Sequence, residues 1–371
     1  MKFWTRGKMN EPPMISAMPV IPVADVRDGG PVQHAQQCAA QARALRDDCL
    51  AFFPRAAEPL VPTLDGVARR WLTRSRSPYV PEIAQIAAAL GFPGVWFLNG
   101  SYIWGCTSLA CEEAGSSWLA RTLDWPFPGL GRHVEVARMR GPAGEFFSVT
   151  WPGYAGTLTA MAPGRFSAAV NQAPLRRRTR HPWLRLYDFA ANALNTWTIQ
   201  HIPPDQLLRR AFETCGSYAE ARRLLETEPV ARPVIYTLAG CNPGERCVIE
   251  RTEEEFVTHE TNTCAANDWV VSRPDWEARI IASRMFTSSA DEAARRSRAR
   301  RDALASFGGC VSDAGFDWVT PPVLNPYTRI AAVMCAARGI MRLAGYEVVT
   351  AGALPERVTQ VCEVEAFAPA T

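Results

Sequence analysis

Two short strand-like runs separated by a turn, each carrying a chemically reactive side chain, constrain this chain more than any other feature. Residues 106–111 and 118–123 are apolar enough to be strands, and the residues between them favour a turn. The pattern predicts a β-hairpin. Because antiparallel strands pair residues from opposite ends of the segment, the hairpin returns Arg121 and Asp124 to the neighbourhood of Cys106.

A thiol beside a guanidinium and a carboxylate is a candidate nucleophile. The cation of Arg121 favours the thiolate form of Cys106, and the carboxylate of Asp124 can hold a proton donor in place. Gly105, directly before the cysteine, gives the backbone conformational freedom. The alternative is a buried cysteine that acts only as a small hydrophobe, as most of the eleven cysteines are expected to do. The paired charges favour the nucleophile.

These residues also resemble a known family. The run from Gly105 to Ser108, followed by Arg121 and Asp124, resembles the processing site of the acid ceramidase and N-acylethanolamine acid amidase family. Residues 151–171 resemble that family's glycine-rich hairpin. Residues 322–329 resemble the segment that leads into one of the family's last strands. Members of the family are N-terminal nucleophile cysteine hydrolases, related more distantly to choloylglycine hydrolases and isopenicillin N acyltransferase.

The resemblance implies an α+β fold, a four-layer αββα sandwich with an N-terminal helical prodomain. Residues 1–105 would form the leader and prodomain, which becomes the alpha subunit after self-cleavage. Residues 106–371 would form the catalytic domain, the beta subunit. Residues 1–30 are rich in Pro, Met and Gly, so we expect a loosely held leader there.

The hydrophobic periodicity of the chain predicts the individual elements. Helices are predicted over 34–53, 60–73, 81–90, 183–196, 204–215, 218–228 and 289–306. Strands are predicted over 94–104, 106–111, 118–123, 133–139, 145–151, 156–161, 165–170, 234–239, 247–251 and 256–261. Residues 329–344 fit either a helix or a hairpin, and the resemblance favours two strands. The arginine-rich helix over 289–306 has Ala293, Ser297 and Leu304 facing inward, and we interpret its charged residues as a solvated face.

The resemblance implies further site residues. Asn171 matches the asparagine that closes the glycine-rich hairpin, Asn267 matches a side-chain donor to the oxyanion, and Arg279 matches the arginine that follows it. Asn262 also matches part of the pattern and stays an alternative to Asn267. Each of these residues has a structural alternative, a local turn for the asparagines and an ion pair for the arginine. The predicted catalytic residues are Cys106, Arg121, Asp124, Asn171, Asn267 and Arg279.

The predicted chemistry begins with self-cleavage. The thiol of Cys106 attacks the carbonyl of Gly105, and hydrolysis of the resulting thioester leaves Cys106 with a free α-amino group, whose pKa is ordinarily about 7.7–8.0. That amine then serves as the base for the thiol, so that no histidine is needed. The predicted reaction is hydrolysis of a linear amide bond in an N-acyl, fatty-acyl substrate.

Three other functions are alternatives. An acyltransferase would pass the acyl group from the same thioester to an amine, and product analysis with an acceptor amine would distinguish it. A protein that only binds ligands would not need Cys106, Arg121 and Asp124 together. A papain-like protease would place its cysteine at a helix start with a partner histidine, and the sequence shows neither.

Composition limits the partners. The formal net charge of +3 indicates no nucleic acid or other strongly charged partner. No apolar run approaches eighteen residues, so we expect no membrane span, although peripheral lipid contact is allowed.

The odd cysteine count fits a reducing cytoplasm, whereas eukaryotic members of the family are lysosomal. No His or Cys pair completes a zinc site, so we expect no metal and no cofactor. The two fragments should stay associated after cleavage.

Overall fold

The computed structural model describes residues 18–179, 184–277 and 289–367. Its helices are α1 (Gly30–Gln37), α2 (Ala39–Leu50), α3 (Val61–Arg74), α4 (Val80–Leu90), α5 (Val95–Gly100), α6 (Arg185–Thr198), α7 (Pro204–Thr214), α8 (Tyr218–Thr227) and α9 (Ala290–Ala305), with a 3-10 helix over Arg55–Leu60. Its strands are β1 (Val23–Asp25), β2 (Gly105–Glu113), β3 (Ser116–Asp124), β4 (Glu135–Gly141), β5 (Gly144–Thr150), β6 (Thr159–Ala162), β7 (Phe166–Gln172), β8 (Leu175–Arg176), β9 (Val234–Ala239), β10 (Arg246–Arg251), β11 (Phe256–His259), β12 (Cys264–Ala265), β13 (Trp276–Glu277), β14 (Thr328–Cys335), β15 (Ile340–Glu347), β16 (Glu356–Arg357) and β17 (Cys362–Glu365).

The predicted hairpin is β2 and β3. Ala114 and Gly115 connect the two strands, both with positive φ, which is the geometry of a tight two-residue hairpin turn. The register pairs Gly105 with Asp124 and Ser108 with Arg121. The sequence therefore predicted correctly both the hairpin and the return of the two charged residues toward Cys106.

The strands form two large sheets. One has the order β1-β4-β5-β6-β7-β9-β10-β11, and the other has the order β12-β2-β3-β14-β15-β16, with β17 also paired to β15. The turn between β14 and β15 shows that residues 329–344 are a hairpin, as the resemblance suggested. The expected α+β class is confirmed.

The two sheets pack against each other, so that β2 and β3 lie over β7 and β9. A single apolar cluster fills the space between them and includes Cys106, Leu123 and Val170. On the outer sides, α7 and α8 contact strands of the first sheet, and α9 contacts β2 and β12 of the second. Cys106 therefore lies near the middle of the layers, with no exposed surface.

The segment that precedes Cys106 differs from the expectation in three places. The helix expected over 34–53 is broken at Cys38, between α1 and α2. The strand expected over 94–104 is wrong, because α5 occupies most of it. The leader expected over 1–30 is not wholly loose, because β1 pairs in parallel with β4 and buries Val26 beside it.

No helix among the described residues is both long and apolar enough to cross a membrane.

Candidate active site

The thiol of Cys106 lies against the guanidinium of Arg121. Arg121 Nη2 donates a hydrogen bond to Cys106 Sγ at 2.7 Å and another to Val170 O at 3.2 Å. Its Nη1 donates to the hydroxyl of Thr159. Arg121 has no exposed surface, so these contacts fix the direction of its charge. The predicted proximity of the thiol and the cation is present in the structure.

Opposing effects act on the pKa of the Cys106 thiol. The pKa is raised to about 11, chiefly by burial, which together with the charge of Asp124 outweighs the lowering by Arg121 and Arg300. The ordinary value for cysteine is about 8.5. In the uncut chain the group is therefore a protonated thiol at neutral pH, and its Sγ also donates weakly to Val170 O at 3.5 Å.

Asp124 lies beside the peptide bond between Gly105 and Cys106. Its Oδ1 accepts a hydrogen bond from Thr328 Oγ1 at 2.9 Å, and its Oδ2 accepts one from Asn325 Nδ2 at 2.8 Å. A methyl group added to Gly105 would lie 3.3 Å from Asp124 Cβ. Gly105 thus permits the close approach of this carboxylate, and both hydrogen bonds hold it in position.

Asn267 contacts the same peptide bond. Its Oδ1 accepts a hydrogen bond from the backbone N–H of Cys106 at 2.8 Å, and its Nδ2 donates to Gln172 O at 2.9 Å. Among the residues that the structure describes, this bond uses one of the two Nδ2 hydrogens. Asn267 is buried, whereas its alternative Asn262 is exposed.

Asn171 is buried and contacts residues around Cys106 rather than Cys106 itself. Its Nδ2 donates to Ser108 Oγ at 2.8 Å and to the carbonyl oxygens of Ala265 and Ala266 at 3.3 Å and 3.2 Å. None of these bonds reaches the thiol, and they tie β7 to β2 and to the loop that presents Asn267. Arg279 lies outside the described residues.

Arg300, on α9, is a site residue that the sequence interpretation missed. Its Nη2 donates to Asn267 Oδ1 at 2.8 Å, its Nε donates to Thr107 Oγ1 at 3.2 Å, and Nε lies 3.9 Å from Asp124 Oδ2. The expectation of a solvated face for all charges of α9 is therefore wrong at this position. A signal was present, because Arg300 follows Ser297 by three residues and so shares its inward stripe.

A cavity of about 820 Å³ leads to this peptide bond. Gly105, Asp124, Gln172, Asn267 and Arg300 line its inner end. Elsewhere the lining is largely apolar and aromatic, from both sides of Cys106 in the sequence: Leu64, Val67, Trp71, Phe97, Ile103, Trp104, Leu175, Phe189, Trp197 and Leu324. The shape and polarity suit a small molecule with a long apolar part.

One group elsewhere has the residue types of a metal site. His34 and Cys38 on one side and Glu135 on β4 bring potential ligand atoms within 4.8 Å of one another. His34 Nε2 and Glu135 Oε2, however, are 2.6 Å apart. That distance is a direct hydrogen bond, since two ligands about 2.0–2.2 Å from a zinc ion lie farther apart than this. We interpret the group as a buried hydrogen-bonded pair.

Comparison with known proteins adds to this geometry. Over 152 residues the chain is 27% identical to the N-acylethanolamine-hydrolyzing acid amidase of Oryctolagus cuniculus, covering 40% of this chain and 39% of the relative. Over 204 residues it is 25% identical to the acid ceramidase of Heterocephalus glaber, covering 54% and 48%. The chain is a homologue of this acid amidase and this acid ceramidase. Its match spans less than half the length of either relative.

No family model matches the chain. Among solved structures, a Caenorhabditis elegans N-acylethanolamine-hydrolyzing acid amidase ortholog has a TM-score of 0.45 at 19% identity, covering 62% of this chain and 93% of that one. A mutant of the conjugated bile acid hydrolase of Clostridium perfringens has a TM-score of 0.40 at 11% identity, covering 70% and 92%.

Proposed function

We propose that this chain is a self-processing cysteine amidohydrolase that cleaves a linear amide bond of an N-acyl substrate through a thioester on Cys106. The main support is the contact of 2.7 Å between Arg121 Nη2 and Cys106 Sγ, in a strand whose preceding peptide bond is flanked by Asn267 and Asp124. The homologues are named as amidases and ceramidases, which supports amide hydrolysis.

The proposed self-cleavage is an N-to-S acyl shift. Cys106 Sγ attacks the carbonyl carbon of Gly105, the bond from that carbon to Cys106 N breaks, and the nitrogen takes up the proton that the thiol has lost, which makes it a free amine. Water then hydrolyses the thioester, which leaves a carboxylate on Gly105 and returns the thiol of Cys106. Asn267 Oδ1, which accepts from Cys106 N–H at 2.8 Å, holds the departing nitrogen throughout.

In the cut enzyme, the α-amino group of Cys106 takes the proton of its own thiol, and the thiolate attacks the substrate amide. Arg121 stabilises the thiolate by its charge. Asp124 holds the ammonium group, and the second Nδ2 hydrogen of Asn267 donates to the oxyanion, a contact that is worth about 3–4 kcal/mol in other hydrolases. Asn171 positions the strand and loop on which these groups lie, and Arg279 remains a predicted participant.

The substrate proposal is a fatty-acyl amide, because apolar side chains line most of the cavity that ends at Gly105. The acyltransferase remains the alternative, in which an amine in place of water takes the acyl group from the thioester. The apolar lining of the cavity also supports the proposal that the protein makes peripheral contact with a lipid surface. All eleven cysteines are free, which supports the proposal of a reducing, cytoplasmic location.

The proposed subunits are residues 1–105 and 106–371, in a four-layer αββα arrangement. Support for the layers comes from two packed sheets with α7 and α8 on one outer side and α9 on the other. Support for lasting association of the fragments comes from the pairing of β1, in the first fragment, with β4 in the second.

The intact mass of the purified protein tests self-cleavage. We expect two polypeptides whose masses correspond to residues 1–105 and 106–371, and a single uncut chain for Cys106→Ala. Cys111→Ala is the matched control, because it removes another thiol from the same strand and should cleave normally. Cleavage of the Cys106→Ala chain at the same bond would refute the proposal.

A panel of N-acyl amides of varied chain length tests the reaction itself. Release of the free fatty acid identifies a hydrolase. Formation of a new amide when an acceptor amine is added identifies the acyltransferase, and trapping of the acyl group by hydroxylamine reports the shared thioester. A cleaved protein that releases no acyl group from any member of the panel would contradict both activities.

A further inference from the structure

Arg232, just before β9, carries a charge that the proposed mechanism does not use. Arg232 is one of the residues that line the cavity beside Gly105. Its Cζ lies 4.4 Å from the ring centre of Tyr102 and 4.9 Å from that of Trp71. The two rings hold the cation in one orientation, since both present a face to it.

The guanidinium of Arg232 has no carboxylate in contact among the residues that the structure describes. Its Nε is buried without a hydrogen-bond partner. Asp205 is near enough to act on its charge, but that carboxylate already accepts a hydrogen bond from Tyr154 at 2.7 Å. A partly buried cation without a paired anion is unfavourable, so the site favours an anion supplied from outside.

The other charges that line this cavity are engaged. Arg300 donates to Asn267 and Thr107, and Arg296 is paired with Glu292. The carboxylate in the lining, Asp124, accepts its two hydrogen bonds from neighbouring side chains. Within the described lining, Arg232 is therefore the cation left to meet a ligand.

We infer that Arg232 binds a carboxylate of the substrate, so that the preferred substrates are N-acyl amides that carry a negative charge. The inference rests on the proposed function and narrows its substrate class. The carboxylate has two chemical sources: the amine portion, as in an N-acyl amino acid, or the far end of the acyl chain, as in the amide of a dicarboxylic acid. In either case the apolar walls receive the hydrocarbon.

Binding of uncleavable analogues tests the inference independently of turnover. In three analogues a sulfonyl group replaces the carbonyl of the scissile amide. N-dodecylsulfonylglycine carries a carboxylate on the amine portion, and N-dodecylsulfonylethanolamine is its neutral counterpart. N-(ω-carboxyundecylsulfonyl)ethanolamine carries its carboxylate at the far end of the chain. Each is titrated calorimetrically into the purified full chain, whose cleavage state is known from its mass. We expect one carboxylate analogue to bind roughly tenfold more tightly than the neutral one, the effect of a charge-assisted hydrogen bond. The analogue that binds more tightly shows whether the carboxylate belongs to the amine portion or to the far end of the acyl chain.

Variants of Arg232 decide whether this residue is responsible. Arg232→Met should abolish the roughly tenfold preference while leaving the affinity for the neutral analogue within about threefold. Arg232→Lys should retain part of it. Arg296→Gln is the matched control, because it removes another arginine of the lining and should leave the preference unchanged.

The failure of this inference differs from failure of the proposed function. Equal affinity of the wild-type chain for all three analogues, or a preference that persists in Arg232→Met, would overturn the role of Arg232 even if N-acyl amides are hydrolysed. Conversely, a preference that depends on Arg232, in a protein without amidase activity, would support the anion site and refute the proposed reaction.

Discussion

At the scale of single residues, the site depends on side chains that hold other side chains. Cys106 is contacted by Arg121, and the carbonyl group of Asn267 is shared by the Cys106 amide and Arg300. An amide oxygen with two donors is fixed in orientation, because rotation of the side chain would break both hydrogen bonds. Arg300 is therefore a positioning residue for Asn267.

Replacement of Arg300 by glutamine should slow self-cleavage roughly tenfold, because the loss of a charged hydrogen bond of about 1.5 kcal/mol frees Asn267 to reorient. The rate of appearance of the 106–371 fragment measures this change. Arg295→Gln, an exposed position on the same helix, should cleave at the wild-type rate. Equal rates for both variants would show that Arg300 does not position Asn267.

Asp205 should give the protein a pH-dependent stability. Burial raises the pKa of this carboxyl from 3.8 to about 6, so the folded state favours the protonated form. The free energy of unfolding should therefore fall as the pH rises from about 4 to about 6, because the folded protein binds a proton that the unfolded chain has released.

The matched variant is Asp205→Asn, which keeps an acceptor for Tyr154 and cannot titrate. Urea unfolding at pH 4 and pH 7 should show that the wild type loses stability relative to the variant between these values. An unchanged difference between the two proteins at both pH values would contradict a raised pKa.

The sequence predicted part of this site. Cys106, Arg121 and Asp124 could be predicted because a short hairpin brings them together through local pairing. Arg300 comes from a helix far along the chain, and its residue type does not distinguish it from the solvated arginines of that helix. Only its place on the inward stripe with Ser297 and Leu304 pointed to a buried role, and its partners depend on the tertiary packing of α9.

At the scale of elements, most long periodic segments were predicted well, and the failure at residues 94–104 has a physical cause. A short apolar run can be a buried strand or a buried helix, and periodicity alone does not distinguish them. Gly94, with a φ of 114°, is the residue directly before α5, and the helix ends at Gly100. The packing of α5 against α3 favours a helix over a strand here, and the sequence alone does not reveal this contact.

The turn before β4 packs directly on β15. A methyl group on Gly131 would lie 2.1 Å from Tyr346 O, and backbone atoms cannot move aside as side chains do. Gly131→Ala should therefore destabilise the protein by at least about 2 kcal/mol, which urea unfolding measures. Gly308→Ala, where nothing lies within 4 Å, should change stability little. Similar stabilities for the two variants would contradict this packing.

At the scale of the whole molecule, the segments on either side of Cys106 are joined by buried polar contacts. Arg209 on α7 donates to Glu82 on α4 at 2.6 Å and 2.8 Å, and Tyr79 Oη donates to Glu213 at 2.5 Å. These bonds cross the proposed boundary between the fragments, and they would remain after the chain is cut.

Replacement of Arg209 by methionine should weaken the association of the cut fragments, because it leaves the partly buried Glu82 without its partner, at a cost of about 1–3 kcal/mol. Gel filtration in increasing urea should separate the fragments of this variant at a lower concentration than those of the wild type. Arg210→Met breaks an exposed pair with Glu228 and should change the midpoint little. Matching midpoints for the two variants would refute the role of Arg209.

Gly105 lines the cavity beside Asn267 and Asp124, whereas Cys106 has no exposed surface, so the uncut chain covers its own nucleophile. In the proposed cut, Gly105 becomes a carboxylate next to that of Asp124, and like charges at this spacing repel. We expect this repulsion to displace the new chain end from the cavity. In this proposal the cut that frees the catalytic amine also opens the path from the cavity to the thiol, so that substrate reaches the nucleophile only after its base has formed.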